Sequence, residues 1–253
     1  MKSLGKIVAM GVLLAAMSGA TYAKDDDGKT PDEVKRANAA ADVLDDIMAA
    51  PDKGVPKEVF ESAKCVAVVP SMIKGGFIIG ARYGKGVATC RTASGWSAPA
   101  PIRIEGGSWG LQFGGEAVDL VMLIMNDKGM EHLLSSKFKL GAEGSVAAGP
   151  VGRQAEATTD WKMRSEVLSY SRARGVFAGL ELNGAVLKQD GDDTRHLYGK
   201  EVSFKDILTG QLRPPEGTQR FLATVTKYAP EAKQERGAVE PPKSNQQPAD
   251  PNR

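Results

Sequence analysis

From Lys64 onward the chain consists of short apolar runs, each cut off by glycine, and this pattern constrains the fold more than any other feature. The 29 glycines among 253 residues exceed one in ten, against a usual level of roughly 7%. Glycines at this density supply turns, bulges or close backbone approaches. The runs fall at residues 65–69, 76–83, 86–91, 98–104, 108–113, 118–125, 138–140, 145–148, 166–170, 176–182 and 185–187, with a turn expected at Gly84 and Lys85 and a short helix near 127–134. Many short strands at this spacing predict a mainly antiparallel sheet that curls or closes on itself. Before Lys64 the period is helical. Thr30, Pro31 and Glu33 read as a capping box with proline at the first helical position, and Val34, Ala37, Ala41, Leu44, Ile47 and Met48 follow at helical spacing. Pro51 and Gly54 end that helix, and Pro56 starts a shorter one to about Ala63 that offers Val59 and Phe60. Two further helices are expected at 203–208 and 218–228, the second presenting Phe221, Leu222, Val225 and Tyr228. The class is α+β, with a single curled or barrel-like domain flanked by helices.

The ends of the chain read differently from its middle. Residues 1–23 carry Lys2 and Lys6, then an apolar stretch at 7–17 too short to cross a bilayer, then small residues, which is the pattern of a secretory signal peptide. The expected mature start is Lys24, with a cut after Ala20 as the alternative, and the product is expected to be exported, periplasmic or secreted, and not a lipoprotein, because no cysteine lies near the cut. Residues 24–29 form a short charged lead. Residues 229–253 hold five prolines in a polar setting that cannot bury enough apolar surface to order itself. The domain therefore spans 30–228.

Charge narrows the function. The whole chain carries +2, and removing Lys2 and Lys6 leaves 31 basic against 31 acidic residues, far from the basic balance of nucleic-acid binders. Between Ser62 and Ile104, however, there is no acid, while Lys64, Lys74, Arg82, Lys85, Arg91 and Arg103 are basic. Gathered on one face, such residues form a site for phosphate or anionic headgroups; left on alternating faces of strands, they are only a solvated surface. The first helix balances Lys35 and Arg36 with Asp32, Glu33, Asp42, Asp45 and Asp46, so core packing is expected of it rather than membrane insertion.

Catalytic motifs are sparse. Residues 106–110, Gly-Gly-Ser-Trp-Gly, match the nucleophile elbow G-x-S-x-G, yet the elbow needs a strand before it and a helix after it, and here a strand follows. His132 and His196 are the two histidines available as a base. Asp190, Asp192 and Asp193 precede His196 and offer either to orient it or to bind a cation; they read as a hairpin tip, too short for a calcium loop of the EF-hand kind. No zinc-ligand spacing or phosphate loop occurs, and no metal, cofactor or enzymatic activity is expected. Cys65 and Cys90 are an even pair in a chain expected to be exported, the usual setting for one disulfide. A simple meander would hold them about 9–10 Å apart, beyond reach, so a bridge requires their strands to be neighbours or to pack face to face.

The residues as a set resemble the SYLF domain family. The resemblance rests on Lys74-Gly75-Gly76-Phe77, Gly80-Ala81-Arg82-Tyr83-Gly84-Lys85-Gly86, Gly95-Trp96-Ser97-Ala98-Pro99, Gly107-Ser108-Trp109-Gly110-Leu111-Gln112 and Gly149-Pro150-Val151-Gly152-Arg153, continued by Tyr170-Ser171, Gly175-Val176-Phe177-Ala178-Gly179 and Tyr198-Gly199. It covers about residues 35–210. It implies a non-enzymatic lipid-binding module, phosphoinositide-selective in eukaryotes and able to bind and bundle actin in a fungal subset, with bacterial members exported. Carried to this chain, it implies binding of anionic phospholipid at an envelope membrane through Lys57, Lys64, Lys74, Arg82 and Lys85, with Trp96 as an interfacial anchor or a core residue. A protein-interaction module, including actin binding, is the alternative.

Overall fold

The computed structural model describes residues 30–50, 54–110, 115–135, 137–151, 165–173, 176–178 and 182–230. The expected signal peptide and lead, and the expected tail beyond Pro230, lie outside the described residues. Helix α1 (Asp32–Met48) buries Val34, Ala37, Ala40, Ala41, Leu44 and Ile47, an apolar stripe at the three-and-four spacing that faces a core. Its N-cap is Pro31 rather than Thr30, and no side chain caps it; the Pro31 carbonyl instead accepts from the Lys35 amide at 3.0 Å. Helix α2 (Lys57–Glu61) follows with Val59 and Phe60 buried, as its spacing requires.

Strand β1 (Cys65–Thr92) is 28 residues long, and no turn interrupts it at Gly84 and Lys85. Its first arm pairs antiparallel with β4 (Gly115–Ile124), from Cys65↔Ile124 to Gly75↔Gly115. Its second arm pairs antiparallel with β3 (Ala100–Gly110), from Ile78↔Gly110 to Ala88↔Ala100. The two arms come back against one another. A Cβ on Gly86 would stand 2.0 Å from the Val68 carbonyl oxygen, and one on Gly84 would stand 2.5 Å from Val69 Cγ1, so only glycine permits this approach. The glycines that suggested a turn serve contact between the arms instead. At the closed end the Arg91 amide donates to the Lys64 carbonyl at 2.8 Å, and Cys65 and Cys90 form a disulfide with their Cα atoms 4.0 Å apart. A folded-over strand thus meets the condition that a flat meander fails.

A bulge between Val69 and Met72 shifts the register of the first arm, with Ser71 at φ 52° and its amide donating to Asp119 Oδ1 at 3.0 Å. The extra residue puts Met72 on the same face as Cys65, Ala67 and Val69, within the same buried cluster. The remaining strands are β2 (Gly95–Trp96), β5 (Lys137–Lys139), β6 (Val146–Ala148), β7 (Val167–Ala173), β8 (Val176–Ala178) and β9 (Val186–Gln189). The sheet order is β5-β9-β3-β1-β4-β7-β6, with β1 shared by both halves, β2 on β1 and β8 on β7; among the described strand pairs β6–β7 is the parallel one. The result is a curled half-barrel, mainly antiparallel, within one α+β unit that begins at Pro31. Ser108 belongs to β3, which is one continuous strand rather than two.

Both faces of the sheet are covered, which is why β4 reads Val-Met-Leu-Ile without polar alternation. Leu120, Met122 and Ile124 point into the inner core with Ala88, Ile102, Ile104 and Phe204; Val121 and Leu123 point to the outer core with Leu44, Phe60 and Phe221. The covering helices are α3 (Asp127–Leu134), α4 (Gly191–Tyr198), α5 (Phe204–Leu208) and α6 (Gln219–Tyr228). Helix α4 replaces the hairpin tip expected at residues 190–193: Asp190 is its N-cap, accepting from the Asp193 amide at 3.2 Å, and Gly199 closes it at φ 68°. Ala229, assigned to the tail from composition, is fully buried in the outer core. No helix among the described residues is long and apolar enough to cross a membrane.

Candidate functional site

The basic stretch lies mostly on β1, and its folding decides where each cation goes. Arg82 and Lys85 are three residues apart on one strand, so they project from opposite faces. Arg82 shares its side with Ala88 and Cys90 and is only 8% exposed. Lys85 turns to the helix-covered side, with Nζ 2.9 Å from Asp190 Oδ2 and 2.8 Å from Asp193 Oδ1. Arg36 of α1 bonds the other oxygen of Asp193. Lys64 pairs with Asp127 at 3.0 Å, and Lys57 pairs one helical turn away with Glu61 at 3.6 Å. Lys74 is half-buried, opposite Glu116 in the β1–β4 register. Trp96 is half-buried: its Nε1 donates to the Ala229 carbonyl at 3.1 Å, and the Arg91 guanidinium lies 4.6 Å above its ring. The six candidate residues therefore do not form one open cationic face. Within the acid-free stretch, Lys64 and Lys85 are matched by Asp127, Asp190 and Asp193, all far along the chain.

The seam of Arg36, Lys85, Asp190 and Asp193 joins α1, β1 and α4. Burial works to lower the Lys85 ammonium, but the hydrogen bonds it donates to two aspartates outweigh that and hold the group above its ordinary value. Burial likewise works to raise the Asp190 carboxyl, while bonds from Lys85 and the Asp193 amide hold it below the usual carboxylate range. A raised lysine contributes stability that is lost as pH climbs through its folded value; a lowered aspartate contributes stability that is lost as pH falls through its own. With unperturbed values of about 3.9 and 10.4, the seam is at full strength between those limits.

A second set of ion pairs ties α1 to α6 and β7. Arg220 bonds Asp42, Lys227 Nζ reaches Asp45 at 3.0 Å, Tyr228 donates to Asp45 at 2.7 Å, and Arg172 bridges Asp46 at 2.5 Å and Asp119 at 2.8 Å. The acidic face of α1 is thus neutralised by neighbouring elements, consistent with packing in the core.

The nucleophile-elbow reading is not met by the backbone. Ser108 lies within a strand, not on a strand-to-helix turn. His132 Nε2 stands 3.7 Å from Glu166 and His196 Nδ1 stands 3.3 Å from Glu33, so each histidine meets a nearly buried glutamate. Sequence reading took Glu33 only as a helix-capping acid and gave Glu166 no role, and it missed the exposure of Ile73 and Tyr83, which at 60% and 46% are the exposed large hydrophobics among the described residues. A signal for the latter pair was present: strand alternation about the bend of β1 points both outward.

Residues 105–228 match the family described as Las17-binding protein actin regulator, Ysc84. The chain is 36% identical over 219 residues to the SH3 domain-containing YSC84-like protein 1 of Mus musculus, covering 79% of this chain and 64% of that protein. It is also 36% identical over 167 residues to the protein of the same name from Homo sapiens, covering 65% of this chain and 48% of that one. The LAS seventeen-binding protein 3 of Saccharomyces cerevisiae is 33% identical over 168 residues, 65% of this chain and 36% of the yeast protein. The chain thus spans less than two thirds of the length of these relatives.

Proposed function

The chain belongs to the Ysc84 (SYLF) domain family, and on that premise we propose that it is a non-enzymatic protein-interaction module whose partner is filamentous actin or an actin regulator. The observation that carries the proposal is the disposition of β1. Lys64 just before it and Lys85 within it meet acids of the same chain, while Ile73 and Tyr83 on either side of its bend remain in solvent. Exposed aliphatic and aromatic side chains on a rigid strand suit a protein surface, where such residues become buried anchors. The family description names actin regulation, and the yeast relative's name states binding to Las17. The test is cosedimentation of the purified chain with actin filaments in the absence of lipid. Saturable pelleting that Ile73→Ser with Tyr83→Ser abolishes supports the proposal, and a wild-type chain that stays in the supernatant overturns the actin reading.

A second reading, peripheral binding of anionic phospholipid at an envelope membrane, rests on Lys57 and Lys64. Their side chains are 70% and 44% exposed, and pairs of that kind contribute about 0–1 kcal/mol, so a headgroup phosphate competes for them at little cost. Arg82 and Lys85 leave that reading, the first because it is buried and the second because it holds two aspartates. Vesicle cosedimentation tests it: selective, salt-sensitive binding to anionic over neutral vesicles, lost in Lys57→Glu with Lys64→Glu, supports it. We further infer that the chain is exported, with a mature start at Lys24 and a domain from 30 onward. The leader pattern supports this, as does a disulfide of the kind that persists in oxidising compartments.

A further inference from the structure

Glu33 is the unbalanced acid of the α1–α4 seam. Its side chain is 10% exposed, and its polar contact among the described residues is His196 Nδ1 at 3.3 Å. A carboxylate buried to that degree requires a compensating charge. Asp193 lies beside it, so that one ligand atom each from Glu33, Asp193 and His196 fall within 4.8 Å of one another. We propose that these three residues bind one divalent transition-metal ion, joining α1 to α4.

The donor set selects the class of ion. Two carboxylate oxygens and one imidazole nitrogen suit zinc and its first-row neighbours, whereas calcium and magnesium demand oxygen donors in larger number. Two ligands are nearly buried and fixed in place. The Asp193 carboxylate is oriented by Arg36 and by Lys85 at 2.8 Å, as the outer partners of metal-ligating carboxylates usually are. Those two cations also oppose the ion's charge and restrain its affinity. The third ligand, His196, is 68% exposed and stands at the rim, leaving an entry path and open coordination positions for water. Glu33 and His196 are separated by 163 residues, so the acidic run before His196 hints at a cation in the sequence but conceals the first ligand.

The experiment is isothermal titration of zinc chloride into the untagged, chelator-stripped full chain, with thermal unfolding recorded alongside. One ion per chain is expected, with a melting temperature that rises with zinc, because an ion bound only by the folded state stabilises it. His196→Ala and Glu33→Gln should each weaken binding by at least about 10-fold, while His132→Ala, which removes the other histidine, leaves it unchanged. His196→Ala also removes the polar contact of nearly buried Glu33, so a modest drop in its metal-free melting temperature is expected, and a retained cooperative transition separates lost binding from lost folding. Absence of one-to-one binding in the wild type, or undiminished affinity in His196→Ala, overturns the proposal.

Discussion

The two ends of strand β1 are built from the same residue types and do opposite things. At the closed end, Gly86 lets the arms touch, and Cys65 and Cys90 join them within the buried core. At the bend, Ile73 and Tyr83 face solvent and nothing in the described core depends on them. Glycine-rich sequence therefore carries no single meaning here. At one end it permits contact between backbones, and at the other it accompanies a surface for contact with something else.

Substitutions can break this contrast, and the largest effect belongs to the closed end. Gly86→Val places a side chain where the Val68 carbonyl oxygen already stands, and the arms cannot part without opening the inner core. A loss of more than about 4 kcal/mol is expected, enough to unfold a typical domain, read as loss of the cooperative transition in urea. Next comes the disulfide: Cys65→Ala with Cys90→Ala should cost about 2–5 kcal/mol, visible as a lower urea midpoint that matches the wild type under reductant.

Lys85→Met removes the cation shared by Asp190 and Asp193. Stripping a fully buried pair of one partner costs about 3–5 kcal/mol; with Lys85 30% exposed, about 1–3 kcal/mol is expected. The same variant should flatten the stability–pH curve, because wild-type stability falls below about pH 4 as Asp190 protonates and above about pH 10 as Lys85 deprotonates. Melting temperatures from pH 3 to 11 for both proteins check the sign at each limb. The smallest effect on stability is expected at the bend, where Ile73→Ser with Tyr83→Ser should stay within about 0.5 kcal/mol per site by urea titration.

Much of the helical frame was readable from local pattern. The stripe from Val34 to Ile47, the helix expected at 203–208 and the run from Phe221 to Tyr228 place α1, α5 and α6, since period 3.6 is a local signal. Helix α4 was missed because Asp190-Gly191-Asp192-Asp193 has a loop's composition, although its aspartate cap and Gly199 were both present. Gly84 and Lys85 read as a turn because close approach between arms is a long-range event that no neighbouring residue announces. The candidate site failed for the same reason. Charge counted along the chain showed a basic stretch, but Lys85 meets an aspartate 108 residues away, and pairing over that distance follows from topology, not composition. The cysteines fared better, because strand spacing alone set the condition that the folded-over strand fulfils.

The most direct test of the division within β1 is filament cosedimentation of the wild type beside the Ile73→Ser, Tyr83→Ser double variant, each with its melting temperature recorded. The expected result is a wild type that pellets with actin and a variant that melts at the same temperature yet stays in the supernatant. A variant that is equally stable and pellets as well as the wild type would contradict the assignment of recognition to the bend.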